Sequence, residues 1–200
     1  MTAVLAEHFE DLYRREGDPW QTRTRWYERR KRGLVLAMLP REHYRRAFEP
    51  GCGAGQLTAE LAPRCDGLIA SDASPTAVAR AGARVATVPH VRVMRGNIPH
   101  DWPDGRFDLI VLSELAYYLT TEDLHQVVLA CRGSLAEDGT LVACHWRRGA
   151  PDMLQGAQAV HDVLALTSDR PRQAHYEDAD VLLDAWGGDG RSVAQVEGLA

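Results

Sequence analysis

Two hundred residues suffice for one domain with a full core, and 45% of them are apolar. A formal net charge of −5, from 23 basic against 28 acidic residues and with no long basic block, points away from nucleic acid as the main partner. No apolar run reaches membrane length and no signal-peptide-like segment opens the chain. The four cysteines (Cys52, Cys65, Cys131, Cys144) lack C-x-x-C pairing, so neither a zinc site nor a disulfide framework is expected.

Residues 3–15 have helical periodicity, with Leu5, Phe9 and Leu12 on one face and Tyr13 beside them. Gly17-Asp18-Pro19 stops this helix, and Trp20 follows in a polar loop. A second helix is expected over 26–39, basic in its first half (Tyr27-Glu28-Arg29-Arg30-Lys31-Arg32), apolar in its second and ended by Pro40. Most of that basic run reads as a solvated face, which leaves one cation free to meet an anionic ligand.

From Tyr44 the pattern becomes βαβ. Strands are expected at 45–49, 68–72, 91–94, 107–112 and 140–146. The helices between them cover 56–61, 76–85 (opened by Ser74 at the N-cap and Pro75 at N1) and 121–132. A further helix at 153–166, a polar loop through Pro171, a segment at 181–186 and a short last strand at 192–196 complete the reading. Alternating strands and helices imply a single α/β domain over 1–200, doubly wound and Rossmann-like. Its mostly parallel sheet carries helices on both faces, with a helical segment (1–40) ahead of the core (41–200). Ligands then bind at the carboxyl ends of the strands.

The richest strand end is Phe48-Glu49-Pro50-Gly51-Cys52-Gly53-Ala54-Gly55. Gly51, Gly53 and Gly55 form G-x-G-x-G rather than the G-x-G-x-x-G of pyrophosphate binders, and Glu49 precedes the turn. A carboxylate there repels a pyrophosphate and attracts an ammonium. S-adenosylmethionine carries both an ammonium and a sulfonium. The next strand ends in Asp72, placed to accept both hydroxyls of a ribose.

Together these residues resemble the class I S-adenosylmethionine-dependent methyltransferases. The resemblance implies Ala73 beside the adenine, Asn97 on its edge, Ile98 on its face, and Ser113-Glu114 next to the sulfonium methyl. Glu114 then holds and deprotonates an amine, His145 acts as a base near neutral pH, and Tyr117, Tyr118 and Trp146 wall the acceptor pocket. Plainer readings stand beside these. Glu114 can be an arginine's structural partner, His145 a satisfied interior group, Asn97 a turn residue beside Gly96, and each aromatic a core residue.

Within the class the chain is similar to the nodulation-factor N-methyltransferases, which methylate the free amine of a deacetylated chito-oligosaccharide. The similarity rests on Asp18-Pro19-Trp20, Tyr27-Glu28 with Lys31, Ile98-Pro99 with Trp102-Pro103, Ser113-Glu114 with Tyr117-Tyr118-Leu119, His145-Trp146 and Val160-His161. It implies that residues 1–40 form a lid over the cofactor, with Trp20, Tyr27 and Lys31 touching it. Arg32 stands where an aromatic is more typical. The expected function is methyl transfer from S-adenosylmethionine to the amine of a small molecule, an amino sugar first, by a cytoplasmic monomer or homodimer. The alternatives are a sugar or metabolite O-methyltransferase and a non-catalytic binding subunit. A nicotinamide-dependent dehydrogenase is disfavoured by the glycine spacing and by Glu49.

Overall fold

The computed structural model describes residues 1–167 and 169–200. The chain begins with α1 (Ala3–Glu16) and α2 (Trp26–Ala37). The core follows as β1 (Ala47–Pro50), α3 (Gln56–Leu61), β2 (Leu68–Asp72), α4 (Pro75–Arg84), β3 (Val91–Arg95), β4 (Phe107–Ser113), α5 (Thr121–Ser134), β5 (Leu135–Trp146), α6 (Ala157–Thr167), β6 (Arg172–Glu177), β7 (Val181–Gly187) and α7 (Val193–Val196). The seven strands form one sheet in the order β3-β2-β1-β4-β5-β7-β6. The pairs from β3 across to β5 are parallel, and β7 runs antiparallel to both β5 and β6. This is the expected doubly wound sheet, and its order reverses between β1 and β4. A crevice opens at that switch point.

Both faces of the sheet are covered, so its central strands are apolar on both sides. Along β4, Ile110 and Leu112 join one buried cluster with Phe9 of α1, Leu124 and Val127 of α5 and Val160 of α6. Leu109 and Val111 join the other, with Val35 of α2 and Leu57 and Leu61 of α3. That is the two-residue period of a strand. Asp108 interrupts the apolar run for a reason. Its carboxylate is buried and accepts the N–H groups of Arg45 and Arg46, each at 2.8 Å, which fixes the chain entering β1.

The two N-terminal helices are tied to the core by polar contacts as well as packing. Glu10 of α1 accepts from the Ser74 hydroxyl at 2.6 Å and the Thr76 hydroxyl at 2.7 Å, at the start of α4. These bonds overcome the cost of desolvation and hold its carboxyl below the usual range. The Ser74 side chain also caps α4 through the Ala77 N–H.

Four expectations differ from the structure. The helix expected at 153–166 starts at Ala157, because the N–H groups of Leu154 and Gln155 bond to the Tyr117 carbonyl instead of opening a helix. Beyond it, Ser168 of the expected polar loop lies outside the described residues. Residues 172–177 form an edge strand that its polar composition concealed. The last strand expected at 192–196 is instead the helical turn α7, opened by a capping box in which Ser192 and Gln195 satisfy each other's backbone N–H. And β5 begins five residues earlier than expected, with Leu135 pairing Phe107 across a register shift.

Candidate active site

Two cavities meet over the glycine turn. One, of about 150 Å³, lies against Glu49, Gly51, Gly53, Lys31, Ser113 and Glu114. The other, of about 70 Å³, is lined by Gly51, Asp72, Ala73, Asn97, Ile98 and Glu114. Tyr13, Trp20 and Tyr118 border both. A third, of about 350 Å³, opens beyond Glu114 and is walled by Trp20, Tyr27, Tyr117, Tyr118 and Trp146. Glu114 lines all three.

The turn is shaped by close approach. Gly53 has φ +54°, and a Cβ on it would stand 2.5 Å from Tyr13 Oη. A side chain there is excluded by α1 as well as by any ligand. Gly55 lies outside the cavities. A Cβ on it would meet Ala81 at 2.9 Å, so that glycine lets α4 pack against the turn. The structure gives Gly55 a packing role, beside the cofactor contact expected of it.

Two unpartnered buried atoms show what the paired cavities lack. Glu49 Oε2 and Asn97 Oδ1 have no hydrogen-bond partner. Burial, with the Asp72 carboxylate adding to it, pushes the Glu49 carboxyl up to about 8. An ammonium beside Glu49 would relieve that desolvation, and an exocyclic amine would satisfy Asn97. The Asn97 amide N–H is already given to the Met1 carbonyl at 2.9 Å, which leaves the oxygen for a ligand. Asp72 accepts from the N–H groups of Gly53 and Ser74, each at 2.9 Å, and each oxygen keeps a lone pair for a ribose hydroxyl. Burial raises its carboxyl too. The donor set, the glycine surface and the orphaned acceptors fit S-adenosylmethionine.

The wall between the first and third cavities is ionic. Lys31 Nζ, nearly buried, lies 3.1 Å from Glu28 and 3.1 Å from Glu114. Burial works against its charge, but the two carboxylates outweigh burial and hold the ammonium above the usual lysine range. Glu114 Oε1 is buried and unpartnered. Glu114 adopts φ +56°, a left-handed conformation that costs a non-glycine residue about 1 kcal/mol. It swings the carboxylate from the end of β4 into the crevice.

A scan against family models matches residues 6–177 to the Nodulation protein S (NodS) family. The chain belongs to the NodS family. Nodulation protein S of Bradyrhizobium diazoefficiens is 33% identical over 127 residues, 62% of this chain and 61% of that protein. The match to the Rhizobium tropici protein covers 51% of this chain and 43% of that one, so the aligned stretch spans about half of these relatives. Among solved structures, the N-methyltransferase NodS of Bradyrhizobium japonicum WM9 in complex with S-adenosyl-L-homocysteine superposes with a TM-score of 0.82 at 26% identity, covering 92% of this chain and 98% of that one. A Pseudomonas syringae protein, solved as a methyltransferase candidate, is 52% identical with a TM-score of 0.73, covering 82% and 99%.

Against the residues expected in this NodS-family chain, the structure brings together Trp20, Lys31, Glu49, Gly51, Gly53, Asp72, Ala73, Asn97, Ile98, Ser113 and Glu114 around the paired cavities. Tyr27 is displaced from the expected set. It lines the third cavity, its hydroxyl buried without a partner. Burial and the carboxylates of Glu114 and Glu28 keep that phenol protonated.

His145 is the clear correction. It is 0% exposed, and its Nε2 accepts the Ala116 N–H at 3.2 Å. Burial and the neighbouring His161 hold its imidazole far below the usual range, so it stays neutral, and its one free lone pair is already used. It cannot take a proton from an acceptor.

Sequence reading missed Tyr13, Glu28 and Arg32. Tyr13 sits one helical turn after Phe9, a spacing that reads as core. Arg32 was masked by the basic run, yet its side chain is buried against Glu60 at 2.7 Å beside the glycine cavity. Glu28 was signalled by its place in the family motif Tyr27-Glu28 with Lys31 and by its i, i+3 spacing to that lysine, but was given no role of its own.

Proposed function

We propose that this chain is an S-adenosylmethionine-dependent N-methyltransferase whose acceptor is the amine of a small molecule, an amino sugar first. The observation that carries the reading is the ammonium held between Glu28 and Glu114, on the wall shared by the glycine cavity and the aromatic cleft. Two carboxylates against one lysine leave a net negative charge there, which favours a cationic acceptor. A cleft walled by Trp20, Tyr117, Tyr118 and Trp146 suits the apolar face of a sugar ring, with hydroxyls at its rim. The N-methyltransferase NodS of Bradyrhizobium japonicum WM9, seen with S-adenosyl-L-homocysteine, supports the same class.

S-adenosylmethionine supplies, when bound, a methyl group made electrophilic by its positive sulfur, so the chain's task is binding, alignment and proton handling. Glu49 would hold the ammonium, Asp72 the ribose hydroxyls and Asn97 the adenine amine. Glu114 would hold the acceptor ammonium and take its proton, which frees the nitrogen lone pair for attack. Trp20 and Tyr118 screen the crevice from water. No metal is needed, and among the described residues no group of histidines, cysteines and acids is placed to bind one. No described helix is long and apolar enough to cross a membrane. A cytoplasmic enzyme, monomeric or homodimeric, is part of the proposal.

The test is a mass-spectrometric screen for a gain of one methyl across glucosamine oligomers, simple amines, hydroxylated sugars and thiols, with S-adenosylmethionine as donor. Methylation of a free amino sugar at nitrogen supports the reading. Methylation confined to hydroxylated acceptors moves it to O-methyl transfer, and no S-adenosylhomocysteine binding by calorimetry would remove the enzyme class.

A further inference from the structure

We propose that His145, His161 and Asp184 are positioning residues that lock the turn from Glu114 to Tyr118 on the acceptor side of the site. This rests on the reading that Glu114 and the two tyrosines face the acceptor.

The three side chains form one buried line. They are 0%, 2% and 3% exposed, on β5, α6 and β7. His145 Nδ1 lies 2.9 Å from His161 Nε2, and His161 Nδ1 lies 2.7 Å from Asp184 Oδ2. A backbone amide can only donate, so the Ala116 N–H fixes Nε2 of His145 as an acceptor. Nδ1 of His145 then carries the proton and donates to His161 Nε2. His161 in turn carries its proton on Nδ1 and donates to Asp184. One amide at the active site and one carboxylate at the far end thus set both tautomers. The other oxygen of Asp184 faces His175 Nδ1 at 2.9 Å and Arg172 at 3.4 Å, both on the edge strand β6. Hydrogen bonds from His161 and His175 outweigh burial and hold the Asp184 carboxyl below the usual range.

The line is not a proton path, because it ends on an amide that cannot accept a proton. Its effect is mechanical. Glu114 sits in a left-handed conformation that persists only where its surroundings over-determine it. Its own N–H bonds the Cys144 carbonyl at 2.8 Å, and two residues on, the Ala116 N–H bonds His145. Neighbouring residues of β5 therefore grip the turn at its first residue and at its middle. The His145 ring also packs edge-on against Tyr117 at 5.1 Å. A charged His145 would present an N–H to the Ala116 N–H and break the grip.

The experiment compares wild type with H161N, H145Q and H145L, each loaded with S-adenosylhomocysteine. His161→Asn keeps an amide N–H for Asp184 but is too short to reach His145. His145→Gln places a carbonyl oxygen where Nε2 was. Hydrogen exchange read by mass spectrometry should speed up about tenfold at residues 114–118 in H161N and H145L, the effect of losing one hydrogen bond, with β4 and α5 protected as before. H145Q should stay near wild type. Nitrogen-15 spectra of the wild type at neutral pH should show the His145 imidazole neutral with its proton on Nδ1. On a glucosamine oligomer, H161N should lower kcat/KM for the acceptor about tenfold while S-adenosylhomocysteine affinity stays unchanged.

A charged or Nε2-protonated His145, or exchange at 114–118 equal to wild type in H161N, overturns the proposal. So does faster exchange spread evenly over β5, β7 and α6, which would mark a general structural role. If H145L fails to fold, H161N decides, because it retains the bond to Asp184. A wild type that methylates no amine would sink the acceptor reading and leave the exchange result standing.

Discussion

Glu49→Gln should separate the charge of the buried carboxylate from its shape. With the carboxyl at about 8 in the ligand-free protein, about nine tenths of the molecules carry a proton there at pH 7. An arriving ammonium favours the ionised form, so binding releases that proton. Ionising the group at pH 7 costs about 1.4 kcal/mol, and each pH unit lower costs the same again. S-adenosylhomocysteine affinity should therefore rise about tenfold per unit from pH 6 to 8 and then level off. The ammonium–carboxylate bond contributes about 1.5–3 kcal/mol, so Glu49→Gln should bind about 10- to 100-fold more weakly at pH 8 and nearly as well as wild type at pH 6.

Stability runs the other way. The folded ligand-free chain binds more protons than the unfolded chain between the ordinary carboxylate value of 4.5 and about 8. Stability from this group is thus complete below that window and lost as pH rises through it. Glu49→Gln should accordingly melt higher than wild type at pH 8, with the gap closing towards pH 5. Titration calorimetry at three pH values, in two buffers of different ionisation enthalpy, reads the released proton directly. Affinity independent of pH, with equal heats in both buffers, refutes the reasoning.

Asp72→Ala should lower S-adenosylhomocysteine affinity at least tenfold, because it removes the ribose acceptors and frees the Gly53 and Ser74 N–H groups that shape the turn. Gly53→Val should abolish that binding by calorimetry, because its side chain collides with Tyr13 as well as with the ligand, and the loss should persist in a Tyr13→Phe background. Glu114→Gln should lower kcat/KM for the amine acceptor about 100-fold, with S-adenosylhomocysteine affinity retained. Full activity there would end the assignment at β4. Asp108→Ala should destabilise the fold by about 1–3 kcal/mol in urea titration, because the N–H groups of Arg45 and Arg46 lose the carboxylate that fixes the entry to β1, and should leave ligand binding intact once folded.

The glycine turn, Asp72 and the parallel alternation of strands and helices were legible because each is written locally. An apolar run, a turn residue and a helix cap lie within ten positions, and parallel β/α topology follows from their alternation. The edge strand β6 was not, because none of its residues is buried, and Arg172, Gln173, His175 and Glu177 read as loop. The capping box at Ser192 and Gln195 was in plain view, but the single apolar alternation around it was read as a strand.

His145 shows where a strand-end rule stops. Residue number places a side chain at the carboxyl end of the sheet, but only the parity of the strand says which face it leaves. Leu141 and Ala143 belong to the cluster beneath α5 and α6, while Val142 and Cys144 belong to the opposite one. His145 has the parity of Ala143, so it points into the helix layer, where His161 meets it. The family similarity had named His145-Trp146 and Val160-His161 as separate motifs, and the structure joins them in a contact between β5 and α6. Reading His161 as the partner required by a buried imidazole, instead of reading His145 as a lone base, would have found the line to Asp184. A buried histidine needs acceptors and donors for both nitrogens, so a second histidine on a facing helix is the more economical interpretation of such a pair.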